Sequence, residues 1–106
     1  SGLVSMRLFF VMLNEACGML MEGISTVEDI DKVMKSGFGN KQGVFRTADQ
    51  MGIEKIVKLM ENMYNEFGAV KYKPSPILMR LYRGKQFGIS RGKGFYTYDE
   101  KGKIVK

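Results

Sequence analysis

Apolar positions recur along this chain with helical spacing until the last dozen residues, where the pattern changes. In residues 3–22 they fall at Leu3, Val4, Met6, every position from Leu8 to Leu13, then Ala16, Cys17, Met19, Leu20 and Met21. The N-terminal half of that helix is apolar all round, which predicts burial on more than one side. One core of this size can hardly surround it, so the surplus points to a partner surface. Gly23 suits the C′ stop. Ser25 and Glu28 have capping-box spacing, with Ser25 as N-cap. They open a helix over residues 26–36 whose inner face is Val27, Ile30, Val33 and Met34, ended by Gly37.

Residues 37–43 read as a loop and residues 45–51 as a short helical turn, broken by Gly52. The clearest helix spans residues 53–67: Ile53, Ile56, Val57, Met60, Met63, Tyr64 and Phe67 follow the i, i+3, i+4, i+7 pattern. Gly68 caps it. The stretch Lys73-Pro74-Ser75-Pro76 is a hinge into a last helix, with Ser75 as N-cap, Pro76 at N1 and Gly84 as stop. Its stripe is Ile77, Leu78, Leu81 and Tyr82. Residues 95–98 and 103–105 are β-prone and residues 99–102 carry turn chemistry, which predicts a small hairpin or an extended tail. The sum is an all-α domain of about five helices with such a tail.

Composition narrows the chemistry. The 106 residues make one domain with room for a modest core. The single cysteine, Cys17, permits no internal disulfide and no Cys-based zinc site, and fits a reduced, cytoplasmic setting. With no histidine, Ser-His-Asp and Cys-His catalysis, His-ligated metals and the commonest general base are all excluded. Nine methionines read mainly as adaptable core filler. The start at Ser1 reads as a processed protein or a piece of a longer one. The apolar run over residues 8–13 is far short of the ~20 residues a bilayer requires, and no cleavage site follows it.

The net charge of +6 is uneven: residues 1–70 hold 7 Lys/Arg and 9 Asp/Glu, and residues 71–106 hold 10 Lys/Arg and 2 Asp/Glu. A basic final third could attract a phosphorylated ligand, nucleic acid or an anionic membrane, but a solvated face is the commoner outcome.

Three clusters could carry chemistry. Glu28, Asp29 and Asp31 could act as acid–base or cation ligands, yet acids at a helix start simply favour the positive end of the helix dipole. The loop Gly37-x-Gly39-x3-Gly43 follows a helix instead of a strand and lacks G-x-G-x-x-G spacing, so it is no dinucleotide cradle. The run Arg91-Gly92-Lys93-Gly94-Phe95-Tyr96 reads first as a glycine-rich turn whose aromatics pack on the body, second as a phosphate ligand, third as a nucleic-acid contact.

Several motifs in order carry a family resemblance. Leu13-Asn14-Glu15-Ala16, Glu22-Gly23 and Glu28-Asp29-Ile30-Asp31, then the loop from Gly39 to Phe45, Ala48-Asp49-Gln50-Met51-Gly52, Pro74-Ser75-Pro76-Ile77-Leu78 and Gly92-Lys93-Gly94-Phe95-Tyr96-Thr97-Tyr98 resemble the 3-hydroxyacyl-CoA dehydrogenase C-terminal domain, 3-hydroxybutyryl-CoA type. The resemblance implies a fold like the 6-phosphogluconate dehydrogenase C-terminal domain. It also implies an N-terminal Rossmann domain that is absent from this chain. The parent would be an NAD-dependent enzyme of fatty-acid or butanoate metabolism, oxidising a 3-hydroxyacyl-CoA. This chain would bind no cofactor or metal of its own, would wall one side of the acyl-CoA cleft, and would form a homodimer without nucleic-acid or membrane partners.

The resemblance also assigns residues. The family's catalytic Ser, His and Glu precede this region, and its remaining catalytic Asn aligns with Met6 in Gly2-Leu3-Val4-Ser5-Met6-Arg7. A thioether cannot donate a hydrogen bond as an amide does. No catalytic residue is therefore expected here. Met6 and Arg7 are the substrate-side candidates, and Phe9, Phe10, Met12 and Leu13 the dimer-interface candidates. Lys41 and Val44 stand where the family has prolines, and Ile89, Ser90 and Arg91 where it has Lys-Lys-Thr. A diverged, non-catalytic interaction domain of the same fold is the alternative.

Overall fold

Five helices account for most of the chain: α1 (Gly2–Met21), α2 (Val27–Phe38), α3 (Val44–Met51), α4 (Ile53–Phe67) and α5 (Pro76–Arg83). Short 3-10 turns lie at Val70–Tyr72 and Ile89–Arg91. The computed structural model describes residues 2–105, with side chains from Val4 onward. Ser1 and the side chain of Leu3, both used above, lie outside the described residues.

The hydrophobic spacing explains which faces meet. On α1, Phe10, Leu13 and Cys17 stand at i, i+3, i+7 and are fully buried, with Ala16 beside them. This face packs against α3, α5 and the first 3-10 turn. Helix α4 buries Ile53, Ile56, Val57, Met60 and Met63 against α3 and α5, whose inward residues are Val44, Phe45 and Ala48, and Leu78 and Leu81. Helix α2 rides on α3 and buries little more than Ile30.

Helix ends match the sequence in kind, with shifts in detail. Gly23 ends α1 in the left-handed conformation: its N–H donates to Leu20 O and that of Ile24 to Met19 O, the paired bonds of a Schellman cap. Ser75 caps α5 through Ile77 N, with Pro76 in the first turn. The N-cap of α2 is Thr26, not Ser25; its Oγ1 accepts from Asp29 N at 3.1 Å. The helix also runs past Gly37 to Phe38, and Gly39 takes the left-handed cap. Gly37 has an ordinary helical neighbourhood, so only Gly39, at φ 70°, supplies the turn. At the end of α5 the left-handed residue is Lys85 (φ 55°), one beyond the expected Gly84.

Three expectations about faces change. Val33 lies outside the core, 56% exposed. Phe67 is also exposed, resting its ring on Tyr72. By length and composition α1 could cross a bilayer, since residues Val4–Met21 have mean hydropathy 1.4 and only Arg7 and Glu15 as charges. Its Phe10–Leu13–Cys17 stripe instead joins the core of this domain.

The tail is extended, pinned by isolated antiparallel bridges between Gly88 and Lys93, Lys93 and Thr97, and Tyr98 and Ile104. The last is closed by a turn in which Asp99 Oδ1 accepts from Lys101 N and Lys103 N. This is the small terminal hairpin expected, reduced to a single bridge.

Candidate functional site

The substrate-side candidates sit on α1 near the first 3-10 turn. Arg7 Nε donates to Tyr72 Oη at 2.8 Å. Its guanidinium also lies 5.1 Å from the Phe67 ring centroid and 5.6 Å from that of Tyr72, within range of a cation–π attraction. Tyr72 is buried, so Arg7 is held by two rings and one hydrogen bond instead of roaming in solvent. Met6 is half-buried against the core.

Beside Arg7 an open groove of about 610 Å³ runs along α1, lined by Val4, Leu8, Val11, Met12 and Lys71. Val4 is 57% exposed and Leu8 69%. The four dimer-interface candidates divide. Phe10 and Leu13 are wholly inside this protomer's own core and offer no surface. Phe9 and Met12 are half-buried and line a second cavity of about 310 Å³ with Asn40, Lys41 and Gln42. The outward apolar stripe of α1 is therefore Val4, Leu8 and Val11.

Asn14 fixes the wall of that groove. Its Nδ2 donates to Lys71 O at 3.0 Å and Lys73 O at 2.8 Å, and its Oδ1 accepts from Ser75 N at 3.1 Å. One amide thus staples residues 71–75 to α1. Its place in the Leu13-Asn14-Glu15-Ala16 motif was the signal, but an amide on a helix face does not announce bonds 57 to 61 residues away.

Two buried carboxylates tie the tail to the helices. Asp31, 4% exposed, accepts from Phe45 N at 2.9 Å, Arg46 N at 3.0 Å and Tyr96 Oη at 2.8 Å. It thereby caps α3 from outside, because the N-cap residue Gly43 has no side chain to do so. A Cβ on Gly43 would overlap the Asp31 carboxylate. The sequence grouped Asp31 with Glu28 and Asp29 as solvated acids of a helix start, and only the latter two are exposed.

Asp49, 1% exposed, accepts from Phe95 N at 2.9 Å, Tyr96 N at 3.0 Å and Tyr98 Oη at 2.5 Å. Gly94 lies so close to Asp49 that any Cβ there would collide with it. Burial pushes the Asp49 carboxyl above its ordinary range, against the opposing pull of Tyr98, the two amides and Arg46. Burial also raises Tyr96 and Tyr98, reinforced by the carboxylate each one faces. Both phenols therefore stay protonated donors, and this cluster is scaffolding for the tail. The run from Arg91 to Tyr96 is accordingly a turn whose aromatics pack inward; Arg91 stacks on Phe87 at 5.3 Å.

Among the described residues no three His, Cys, Asp or Glu side chains could share a metal ion. Cys17 is buried, and burial pushes its thiol up to about 12, partly offset by the Ser75 hydroxyl, so it is an inert core residue. The glycine loop joins α2 to α3, its Gly39 ends a helix, and the α3 amides beyond it already face Asp31. It cannot cradle a pyrophosphate as the turn of a Rossmann unit does.

Comparison with known proteins agrees with this geometry. The family model described as 3-hydroxyacyl-CoA dehydrogenase, C-terminal domain, matches residues 2–98. A probable 3-hydroxybutyryl-CoA dehydrogenase of Bacillus subtilis is 37% identical over 100 residues, covering 94% of this chain and 35% of that protein. Its counterpart in Deinococcus radiodurans is 38% identical over 97 residues, covering 92% and 35%. The crystal structure of (S)-3-hydroxybutyryl-CoA dehydrogenase from Ralstonia eutropha superposes with a TM-score of 0.84 at 33% identity, over 89% of this chain and 33% of that one. The chain thus spans about a third of the length of the curated relatives it matches.

Proposed function

The chain belongs to the family of 3-hydroxyacyl-CoA dehydrogenase C-terminal domains, and from that premise we propose that it supplies the dimerising, acyl-CoA-facing wall of an NAD-dependent dehydrogenase. The parent reaction would convert a 3-hydroxyacyl-CoA and NAD to a 3-oxoacyl-CoA and NADH, in cytoplasmic fatty-acid or butanoate metabolism. NAD would be held by an N-terminal Rossmann domain, because the residues present here do not fit a dinucleotide.

The observation that carries this reading is the outward stripe of α1. Val4, Leu8 and Val11 stay exposed next to a guanidinium locked in place by Tyr72 and Phe67. An apolar face of this kind has a cost in water unless something covers it. A second copy and an acyl chain both suit it.

Two measurements test the reading. The chain alone should show no acetoacetyl-CoA-dependent oxidation of NADH, and measurable turnover would refute the claim that catalysis lies elsewhere. Light scattering should give roughly twice the 12.0 kDa protomer mass, and Leu8→Glu should halve it; an unchanged dimer would remove α1 as the interface. Leu8 is the right probe, since charge at Phe10 would instead destroy the protomer's own core.

Met6 supports the second reading, a non-catalytic interaction domain. A thioether stands where the family has its Asn. Met6→Asn in the full-length protein should raise dehydrogenase activity if the parent is an enzyme weakened at this position. No rise favours the interaction role.

A further inference from the structure

Much of the basic final third comes to lie where the end of α5 meets the start of α4. An open cavity of about 510 Å³ is found there, lined by Lys55 and Lys58 of α4 and by Arg83 and Lys85 at the end of α5. Tyr82 and Phe87 are its aromatic lining, half-buried, with ring centroids 6.0 Å apart. It shares no lining residue with the α1 groove, and the proposed function does not use it.

The backbone explains why these groups meet. After α5, Lys85 takes the left-handed conformation. Lys85 N donates to Tyr82 O and Gln86 N to Leu81 O, so the chain doubles back and sets Phe87 beside Tyr82. Phe87 O accepts from Ile53 N at 2.8 Å, which ties this turn to the first residue of α4. Lys55 and Lys58, three positions apart, share one face of that helix. Arg91 joins them from the second 3-10 turn, its guanidinium 5.3 Å from the Phe87 ring centroid and within cation–π range.

The charge is one-sided. All five cations are exposed, and among the described residues none has an ion-pair partner. Glu54 is the one acid in the lining, and its Oε1 is buried, folded back against Gly52. Unpaired charges of one sign around a cleft concentrate anions there. A flat anionic bilayer would meet a concave cleft poorly, and an acidic peptide has no use for the rings. A single strand of nucleic acid uses both features, with phosphates on the cations and a base on an aromatic or guanidinium plane.

We propose that the Lys55–Lys58–Arg83–Lys85–Arg91 face binds a short single-stranded nucleic acid, with one base on the Arg91–Phe87 stack. The family resemblance implied no such partner; the fold gathers onto the glycine-rich run at Arg91 cations from as far away as Lys55. The proposal stands independently of the acyl-CoA reading.

The test titrates a dye-labelled thymidine decamer with the chain, by fluorescence anisotropy and amide NMR at low ionic strength. Binding should saturate and shift amides over residues 55–58 and 82–91. Its logarithm should fall against the logarithm of salt with a slope of about −2 to −3, at roughly 0.7 per phosphate for three or four contacts. Lys58→Glu and Arg83→Glu, both at exposed positions, should each weaken it by about fivefold or more, the factor a single charge contributes at ~4 Å in water. Lys32→Glu, on α2, should cost far less. Arg91→Lys keeps the charge but loses the planar group, so it should weaken the decamer while leaving inorganic tripolyphosphate unaffected. No saturable shift on this face overturns the proposal, as does an equal loss from all three charge reversals, which would mean that binding follows net charge alone. A glutamate decamer that binds as tightly overturns the nucleic-acid assignment in favour of an acidic protein. Phosphatidylserine vesicles that bind while the decamer does not overturn it in favour of a membrane.

Discussion

Asp31→Asn isolates what a single negative oxygen contributes to this fold. The change is isosteric, so packing is kept and only hydrogen-bond chemistry moves. The carboxylate now accepts three bonds, from Phe45 N, Arg46 N and Tyr96 Oη. An amide accepts at one end and donates at the other. Whichever way it turns, one α3 amide faces an NH2 group. A buried donor left unpaired costs about 1–3 kcal/mol. Removing the negative charge from the α3 N-terminus costs roughly another 0.5 kcal/mol. The Tyr96 hydroxyl can rotate to accept instead, so it adds little. The expected loss is about 2–3 kcal/mol, a large part of the ~5–15 kcal/mol that holds a domain together. Urea unfolding followed by circular dichroism at the helix band would read it, with a fall in melting temperature of roughly 10–20 °C. The paired control is Asp29→Asn, whose exposed side chain should change stability by less than about 0.5 kcal/mol. If the two variants unfold alike, Asp31 does not cap α3 and the derivation of the tail's attachment fails with it.

Gly94→Ala should cost at least about 2 kcal/mol in the same assay, because its methyl must displace the Asp49 carboxylate from Phe95 and Tyr96. Lys85→Gly should raise the unfolding free energy by about 0.5 kcal/mol, since relief of a left-handed backbone outweighs the extra freedom of the unfolded chain. The Cys17 thiol gives a pH dependence: its folded value near 12 lies above that of the unfolded chain. Its contribution is complete below about pH 8.5 and is lost as pH rises towards 12, by up to about 1.4 kcal/mol per unit. Between about pH 8.5 and 10, below the range where the raised Tyr96 and Tyr98 add their own loss, Cys17→Ala should lack that slope, and an identical fall in both proteins there would discount the thiol.

The helices were legible because each repeats one simple rule over many residues. The α4 pattern gives its bounds, residues 53–67, without adjustment. Caps were legible in kind, but whether Ser25 or Thr26 caps α2 depends on backbone angles that two adjacent hydroxyl residues do not distinguish. The over-apolar α1 correctly pointed to surplus surface, while its all-round character hid which residues face out. Phe10 and Leu13 go inward, Val4 and Leu8 outward, and only the positions of α3 and α5 decide that. Asp31 and Asp49 were the least legible. A buried acid looks like any other acid until its distant donors are known, and those donors include backbone amides, which no side-chain pattern records.

The attachment of the tail bears on how the domain assembles. Tyr96 meets Asp31 across 65 positions and Tyr98 meets Asp49 across 49. Until residues 95–98 arrive, Asp31 lacks one of its three donors and Asp49 lacks the amides and hydroxyl that make its burial tolerable, so α3 cannot settle into its final seat. During synthesis the five helices therefore wait, loosely gathered, for a short extended stretch that emerges after all of them. A ribosome stalled just before Gly94 should carry a nascent chain that is helical but still cleaved readily by protease.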